Sequence, residues 1–259
     1  MKTVQSNNEN EILLSDDPAT VLDHFLHLPI STPDPIFSLF QSLPGAIEHS
    51  GGEKQRFLYV PGTREDRCVL AAHADTVFDR FYIEKEAAAK LAFRDGVYFS
   101  ESDTYGIGAD DRAGCAMLWL LRNSGHSLLI LDGEEHGQIG AKYLRSEFRD
   151  LFDELNNHSF MLQLDRRGSH DYKCYYLDVP EEFKTFIENS TGYELSISGG
   201  FTDICTLCET VSGVNLSIGY YSEHTREEKL VYEEWLHTFE LVKGMMGQPM
   251  KRYELRTVN

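Results

Sequence analysis

The chain's 259 residues can bury a sizeable core, and 41% hydrophobic with 25% charged residues is ordinary globular composition, which excludes a disordered or fibrous protein. With 24 basic and 42 acidic residues the formal charge is −18, which argues against nucleic acid or an anionic membrane as partner. The surplus acid serves either as solvated surface or, at a few positions, as ligands for a cation.

No run of about 18 apolar residues exists, so no membrane span is expected. Residues 1–17 lack the basic start and apolar run of a secretory signal. Five cysteines (Cys68, Cys115, Cys174, Cys205, Cys208) are an odd, sparse set and read as reduced thiols, which places the chain in the cytoplasm. Cys205 and Cys208 form a lone CxxC with no second pair, so core thiols are the expectation there.

In chain order, residues 1–16 read as a loose tail ahead of a single domain over 17–259. Asp17-Pro18 opens an apolar-periodic stretch to Leu28, a helix with an acidic cap, and a second short helix is predicted from Pro35 to Gln41. Apolar runs at 57–60, 68–72, 127–131, 160–164 and 214–218 read as strands, with a further strand at 172–177. A helix is predicted from near Asp111, and a C-terminal one from Thr225 to Met246 through Leu230, Trp235, Phe239 and Val242. Strands alternating with helices indicate an α/β layered fold with a mostly parallel sheet.

Four of these strands run directly or by a short loop into residues of metal-binding type: His73-Ala-Asp75, Asp132-Gly-Glu134-Glu135, Asp165 and His224. Gly106-Ile-Gly-Ala-Asp110-Asp111 precedes a helix between the first two. In open α/β sheets the carboxyl ends of the strands form the ligand crevice, so groups delivered there from several strands can meet. Two histidines and three carboxylates exceed the three protein ligands of a single catalytic zinc and fit two metals if one carboxylate is shared; zinc, cobalt or manganese suits such donors.

The ordered set His73-x-Asp75, Gly-Ala-Asp110-Asp-Arg-Ala-Gly, Gly-Glu134-Glu135-x-Gly, Asp165 and Glu-His224-Thr resembles the co-catalytic two-zinc exopeptidases, whose members include aminopeptidases, tripeptidases, carboxypeptidases and deacylases. The resemblance implies a three-layer fold, a mixed, mostly parallel sheet flanked by helices. It implies His73 and His224 on different metals, Asp110 bridging them, Glu135 and Asp165 each completing one, Asp75 holding the other nitrogen of His73, and Glu134 as general base toward the attacking water. The intervals 73–110 and 165–224 leave no room for the second domain that many relatives insert, so this is a compact form.

An oxyanion donor must then come from the core fold or another subunit, with Tyr220, Tyr221 and Tyr105 as candidates. Gly199-Gly-Phe-Thr-Asp203 resembles a substrate-side loop and is equally readable as a turn. Asp at position 165, where carboxypeptidase and deacylase relatives tend to carry Glu, favours a substrate with a free amino terminus, to which Asp203 would contribute. Arg166 or Arg167 could instead grip a carboxylate, and strand alternation lets at most one of them reach the site. The expected substrate is a small peptide, with an acylated amino acid as the alternative. A one-zinc cyclising acyltransferase and a non-catalytic relative are the readings outside hydrolysis.

Overall fold

In the computed structural model, which describes residues 15–80, 90–197 and 200–256, two short helices lead into the sheet. Helix α1 (Pro18–His27) starts where proline suits the first turn and the Asp17 carboxylate accepts the Thr20 N–H at 2.9 Å. Its buried stripe of Val21, Leu22, Phe25 and Leu26 faces the core, as do Ile36, Phe37, Leu39 and Phe40 of α2 (Asp34–Gln41).

The main sheet has eight strands: β1 (Ile47–Ser50), β2 (Arg56–Val60), β3 (Val69–His73), β6 (Ser127–Leu131), β7 (Met161–Arg166), β8 (Asp171–Lys173), β9 (Glu194–Leu195) and β10 (Gly213–Ser217). Their spatial order is β1-β2-β6-β3-β7-β10-β8-β9. The central strands β6, β3, β7 and β10 are parallel, while β1, β2 and the β10–β8 pairing are antiparallel. Every residue of β3, β6 and β10 is buried, as expected for parallel strands covered on both faces.

Alternate side chains feed two cores. Leu58, Leu70, Leu128 and Ile130 join the larger core with α1, α2, α3 (Ala109–Leu120), α6 (Glu181–Thr191) and α8 (Tyr232–Met246). Phe57, Val69, Leu129 and Leu131 join the smaller one with α4 (Ile139–Glu147), α5 (Arg149–Asn156) and α7 (Asp203–Leu207). The result is the expected mixed, mostly parallel sheet between two helical layers.

A second antiparallel sheet, in the order β11-β12-β5-β4, is formed by β4 (Leu91–Arg94), β5 (Val97–Ser100), β11 (Tyr220–Tyr221) and β12 (Lys229–Val231). It corrects the C-terminal helix, which begins at Tyr232 rather than Thr225; Leu230 is buried from a strand. The strand predicted over 172–177 ends at Lys173, because Tyr175 adopts a left-handed φ of 54° and turns the chain outward. Asp110 and Asp111 lie outside helical φ/ψ, so the regular turns of α3 follow Asp111.

Residues 1–14 of the expected tail lie outside the described residues, whereas Asp16 pairs with Arg122 at 2.9 Å. Between Asp165 and His224 the described residues build strands and helices of these layers. No helix among the described residues is long and apolar enough to cross a membrane.

Candidate active site at the strand ends

Parallel pairing puts the carboxyl ends of β3, β6 and β7 on one edge. His73 ends β3, the turn 132–135 follows β6, and Asp165 sits at the end of β7. His73 is buried, with Nε2 3.0 Å from Asp110 Oδ1 and 3.4 Å from Asp165 Oδ1. Its Nδ1 lies 3.0 Å from the Asp75 carbonyl oxygen and 3.4 Å from Asp75 Oδ1. The Nε2 of His224, which has a left-handed φ of 64°, lies 3.1 Å from Asp110 Oδ2 and 2.9 Å from Glu135 Oε1. Asp110 therefore presents one oxygen to each histidine. Two groups of donors result, His73–Asp110–Asp165 and Asp110–Glu135–His224, each with its donor atoms within 4.8 Å of one another.

The local backbone explains the motif around Asp110. The buried Glu228 carboxylate accepts the N–H groups of Ile107, Gly108 and Asp110 at 2.9, 2.7 and 3.1 Å and so fixes the loop that aims Asp110. A Cβ at Gly106 would lie 2.4 Å from Glu228 Oε2, which makes glycine the residue that fits. Asp111 accepts the His73 N–H at 3.2 Å and the Gly114 N–H at 3.0 Å, tying β3 to α3. At Gly114 a Cβ would be 2.1 Å from the Leu164 carbonyl oxygen, so the close approach of α3 to β7 demands glycine.

Glu134 lines a pocket of about 230 Å3 with Asp110, Asp165, Tyr220 and His224. Its backbone N–H donates to Asp75 Oδ1 at 3.2 Å. Burial raises the Glu134 carboxyl well above the ordinary range, opposed by His73 and helped by Asp203, Asp165 and Asp110. Burial likewise lifts Asp165 to about 6, against the pull of His73. Bonds to Asp110 and Glu135 push His224 up to about 11. Burial opposes the charge on His73, but Asp165, Asp110 and Asp75 outweigh it and raise that ring too.

Behind His73 lies a second layer of charged side chains. Asp79 pairs with the Lys54 ammonium and lies 3.0 Å from His136 Nε2; Asp132 Oδ1 is 3.5 Å from Lys54 Nζ. Burial resists ionisation of Asp75, but His73 and Lys54 hold its carboxyl below the ordinary range. Lys54 lies in the turn between β1 and β2 and Glu228 in an exposed-looking charge run, and neither position carries a local signal.

The remaining candidates divide. The Tyr220 hydroxyl is 3.3 Å from Asp165 Oδ1 and lines the pocket. Tyr221 instead donates to Glu234, with Ser169 Oγ 3.2 Å from the same hydroxyl, and is not among the pocket-lining residues, while Tyr105 packs beside Ile30 and Phe78. Asp203 is fully buried and does not line the pocket; its neighbour Thr202 does, donating to Asp165 Oδ2 at 2.9 Å. Both Arg166 and Arg167 line the pocket, because Arg167 lies past the end of β7, where strand alternation no longer applies. Arg166 is held by Asp171 at 2.7 Å and Arg167 by Glu223 at 2.5 Å. All five cysteines are free thiols.

No protein-family model matches the chain, and no curated protein matches it in sequence. Solved structures do. The aminopeptidase PepT of Bacillus cereus superimposes with a TM-score of 0.65 at 15% identity, over 89% of this chain and 98% of that one. A Staphylococcus aureus tripeptidase gives 0.63 at 15% identity over 89% and 98%. An aminopeptidase from the archaeon Desulfurococcus kamchatkensis gives 0.61 at 14% identity over 90% and 96%. At such identities the likeness speaks for the fold, and the fold of this chain is that of the zinc-exopeptidase type which its ordered motifs resemble.

Proposed function

We propose that this chain is a metal-dependent hydrolase that cleaves a peptide bond next to the free amino terminus of a short peptide. The observation that carries the reading is the geometry of Asp110, whose two oxygens each face a different histidine, with Asp165 completing one donor group and Glu135 the other. Imidazole nitrogens with carboxylate oxygens fit zinc, cobalt or manganese, and a shared carboxylate fits a pair of ions. His73, Asp110 and Asp165 would hold one ion, and Asp110, Glu135 and His224 the other. Such a pair, when bound, activates a water and polarises the carbonyl under attack.

The chain's own groups supply the rest. Glu134 takes the proton of the attacking water and passes it to the leaving amine. Asp75 fixes the orientation of His73 through Nδ1. The Tyr220 hydroxyl is the candidate donor to the developing oxyanion, and the carboxylates of Glu134 and Asp165 attract the substrate ammonium. Support for a peptide substrate comes from the aminopeptidases and the tripeptidase that share the fold.

A second reading, a deacylase or carboxypeptidase, is favoured by Arg166 and Arg167 both lining the pocket, although each already has a carboxylate partner. A release assay on matched free and N-acetylated short peptides, with zinc, cobalt or manganese added, separates the two. Cleavage of the free peptide alone is expected. Cleavage of the acetylated one alone would replace the aminopeptidase reading with the deacylase reading.

A further inference from the structure

The two aspartates of the donor groups differ in what holds their second oxygen. Asp110 turns Oδ1 toward His73 and Oδ2 toward His224, so each of its oxygens faces a histidine of the site. Asp165 turns only Oδ1 that way, 3.4 Å from His73 Nε2 and 3.3 Å from the Tyr220 hydroxyl. Its Oδ2 accepts two hydrogen bonds from the protein, one from Gln163 Nε2 at 3.0 Å and one from Thr202 Oγ1 at 2.9 Å. A carboxylate oxygen has two lone-pair sites, so two donors saturate it.

Each donor is itself held. Gln163 is fully buried on β7, and the alternation of the strand puts it on the same face as Asp165. Its Oε1 accepts the Ile204 N–H at 3.2 Å, which leaves Nε2 as the atom that meets Asp165. Thr202 is also buried, in extended backbone with φ of −156° and ψ of 178°, and its carbonyl oxygen accepts the Cys205 N–H at 3.0 Å. Branching at its Cβ restricts the directions the hydroxyl can take. Asn215 clamps the backbone of Asp165, accepting its N–H at 3.0 Å and donating to its carbonyl oxygen at 2.8 Å. Thr202 lines the pocket together with Gly200 and Phe201, so one piece of chain forms pocket wall and holds Asp165.

We propose that Thr202 and Gln163 are positioning residues for Asp165, which by saturating Oδ2 leave this carboxylate one oxygen for a single ion and confine the shared role to Asp110. The proposal rests on the metal-dependent reading above and deepens it. Both donors are uncharged, so they orient the carboxylate without replacing the cation that the site lacks from the protein. Without the Thr202 hydroxyl a lone pair of Oδ2 is released and the carboxylate is free to turn. The ion held by His73, Asp110 and Asp165 then loses affinity, while the ion held by Asp110, Glu135 and His224 keeps its donors.

The test is zinc titration of the chelator-stripped chain, read by native mass spectrometry and by competition with a chelating dye. Thr202→Val keeps the shape and removes the donor. One of the two zinc affinities should fall by about ten- to a hundredfold, the usual effect of losing a hydrogen bond to a metal ligand. At the free zinc that just fills both positions of the wild type, the one-ion species should then predominate. Thr202→Ser should restore most of the loss, and Gln163→Met should act in the same direction as Thr202→Val. In a chain already carrying Asp165→Ala, adding Thr202→Val should change zinc binding no further, because the hydroxyl acts through that carboxylate. Thermal melts of the metal-free chains separate lost binding from lost folding. Wild-type filling of both positions in Thr202→Val, equal weakening of both ions, or a further loss in the Asp165→Ala background would overturn the positioning role and leave the metal reading standing. Failure of the wild type to take up two ions would overturn the metal reading itself.

Discussion

Two groups of carboxylates and histidines lie front to back across Asp75, and they differ in where their positive charge comes from. In front, Asp110 and Asp165 make their close ion pairs with His73 and His224. Behind, Asp79 and Asp132 share Lys54, and His136 adds a second nitrogen. Donor composition does not distinguish them, since Asp75, Asp79 and His136 also bring three donor atoms within 4.8 Å. Charge balance does. A buried carboxylate cluster with a lysine inside it already holds a cation of the protein's own, whereas converging carboxylates whose close ion pairs are with imidazoles are suited to a divalent ion. The front group is accordingly the metal site of this account, and the rear group is its support.

The sharpest tests exchange single atoms within the front group. Glu134→Gln should cost at least about a hundredfold in kcat with metal content kept, as expected for loss of a general base. Glu135→Gln should instead weaken metal binding; the reverse pattern, read by kinetics and metal analysis together, would shift the assignment by one residue. A matched pair comes next. His73→Ala should reduce the metal content of the chain, while His136→Ala, with the same atoms removed one layer back, should leave it unchanged. Equal losses in the two variants would erase the distinction between the layers.

The rear group predicts an effect on stability. Lys54→Met strands the Asp75, Asp79 and Asp132 carboxylates and should cost roughly 3–5 kcal/mol in denaturant unfolding, the range for breaking a buried pair. The cost should grow with pH. Burial and Asp75 lift Asp132 to about 6 in the folded chain, from the ordinary carboxyl value of 3.8. A carboxyl raised on folding contributes stability below its unfolded pKa and loses it as pH rises through the folded one. Removing the lysine raises that carboxyl further, so unfolding at pH 8 should show a larger deficit than at pH 4.5. His136→Asn, at a partly exposed position, should change stability by less than about 1 kcal/mol.

The same contrast explains what the sequence disclosed. The central strands are buried on both faces, so they read as apolar runs, and β6 falls at its predicted bounds with the others within a residue or two. The front group was legible because a strand end delivers His73, Asp165 and the turn bearing Glu134 and Glu135. Lys54 and Glu228 were not, because their meaning lies in partners 25 and about 120 residues away, and each stands in a polar stretch without periodicity. The β4–β5 hairpin did carry a usable signal: Asp95-Gly96, with φ of 52° and 81°, is a turn dipeptide between alternating apolar residues. The short strand at 229–231 was hidden because it runs, with no Gly or Pro between, straight into the helical periodicity of Trp235, Phe239 and Val242.

The central claim is that Asp110 joins two metal positions, and native mass spectrometry of chelator-stripped protein titrated with zinc tests it directly. The account predicts two ions per wild-type chain and loss of both from Asp110→Ala under the same conditions. A single ion in the wild type, or two ions retained by Asp110→Ala, would contradict it.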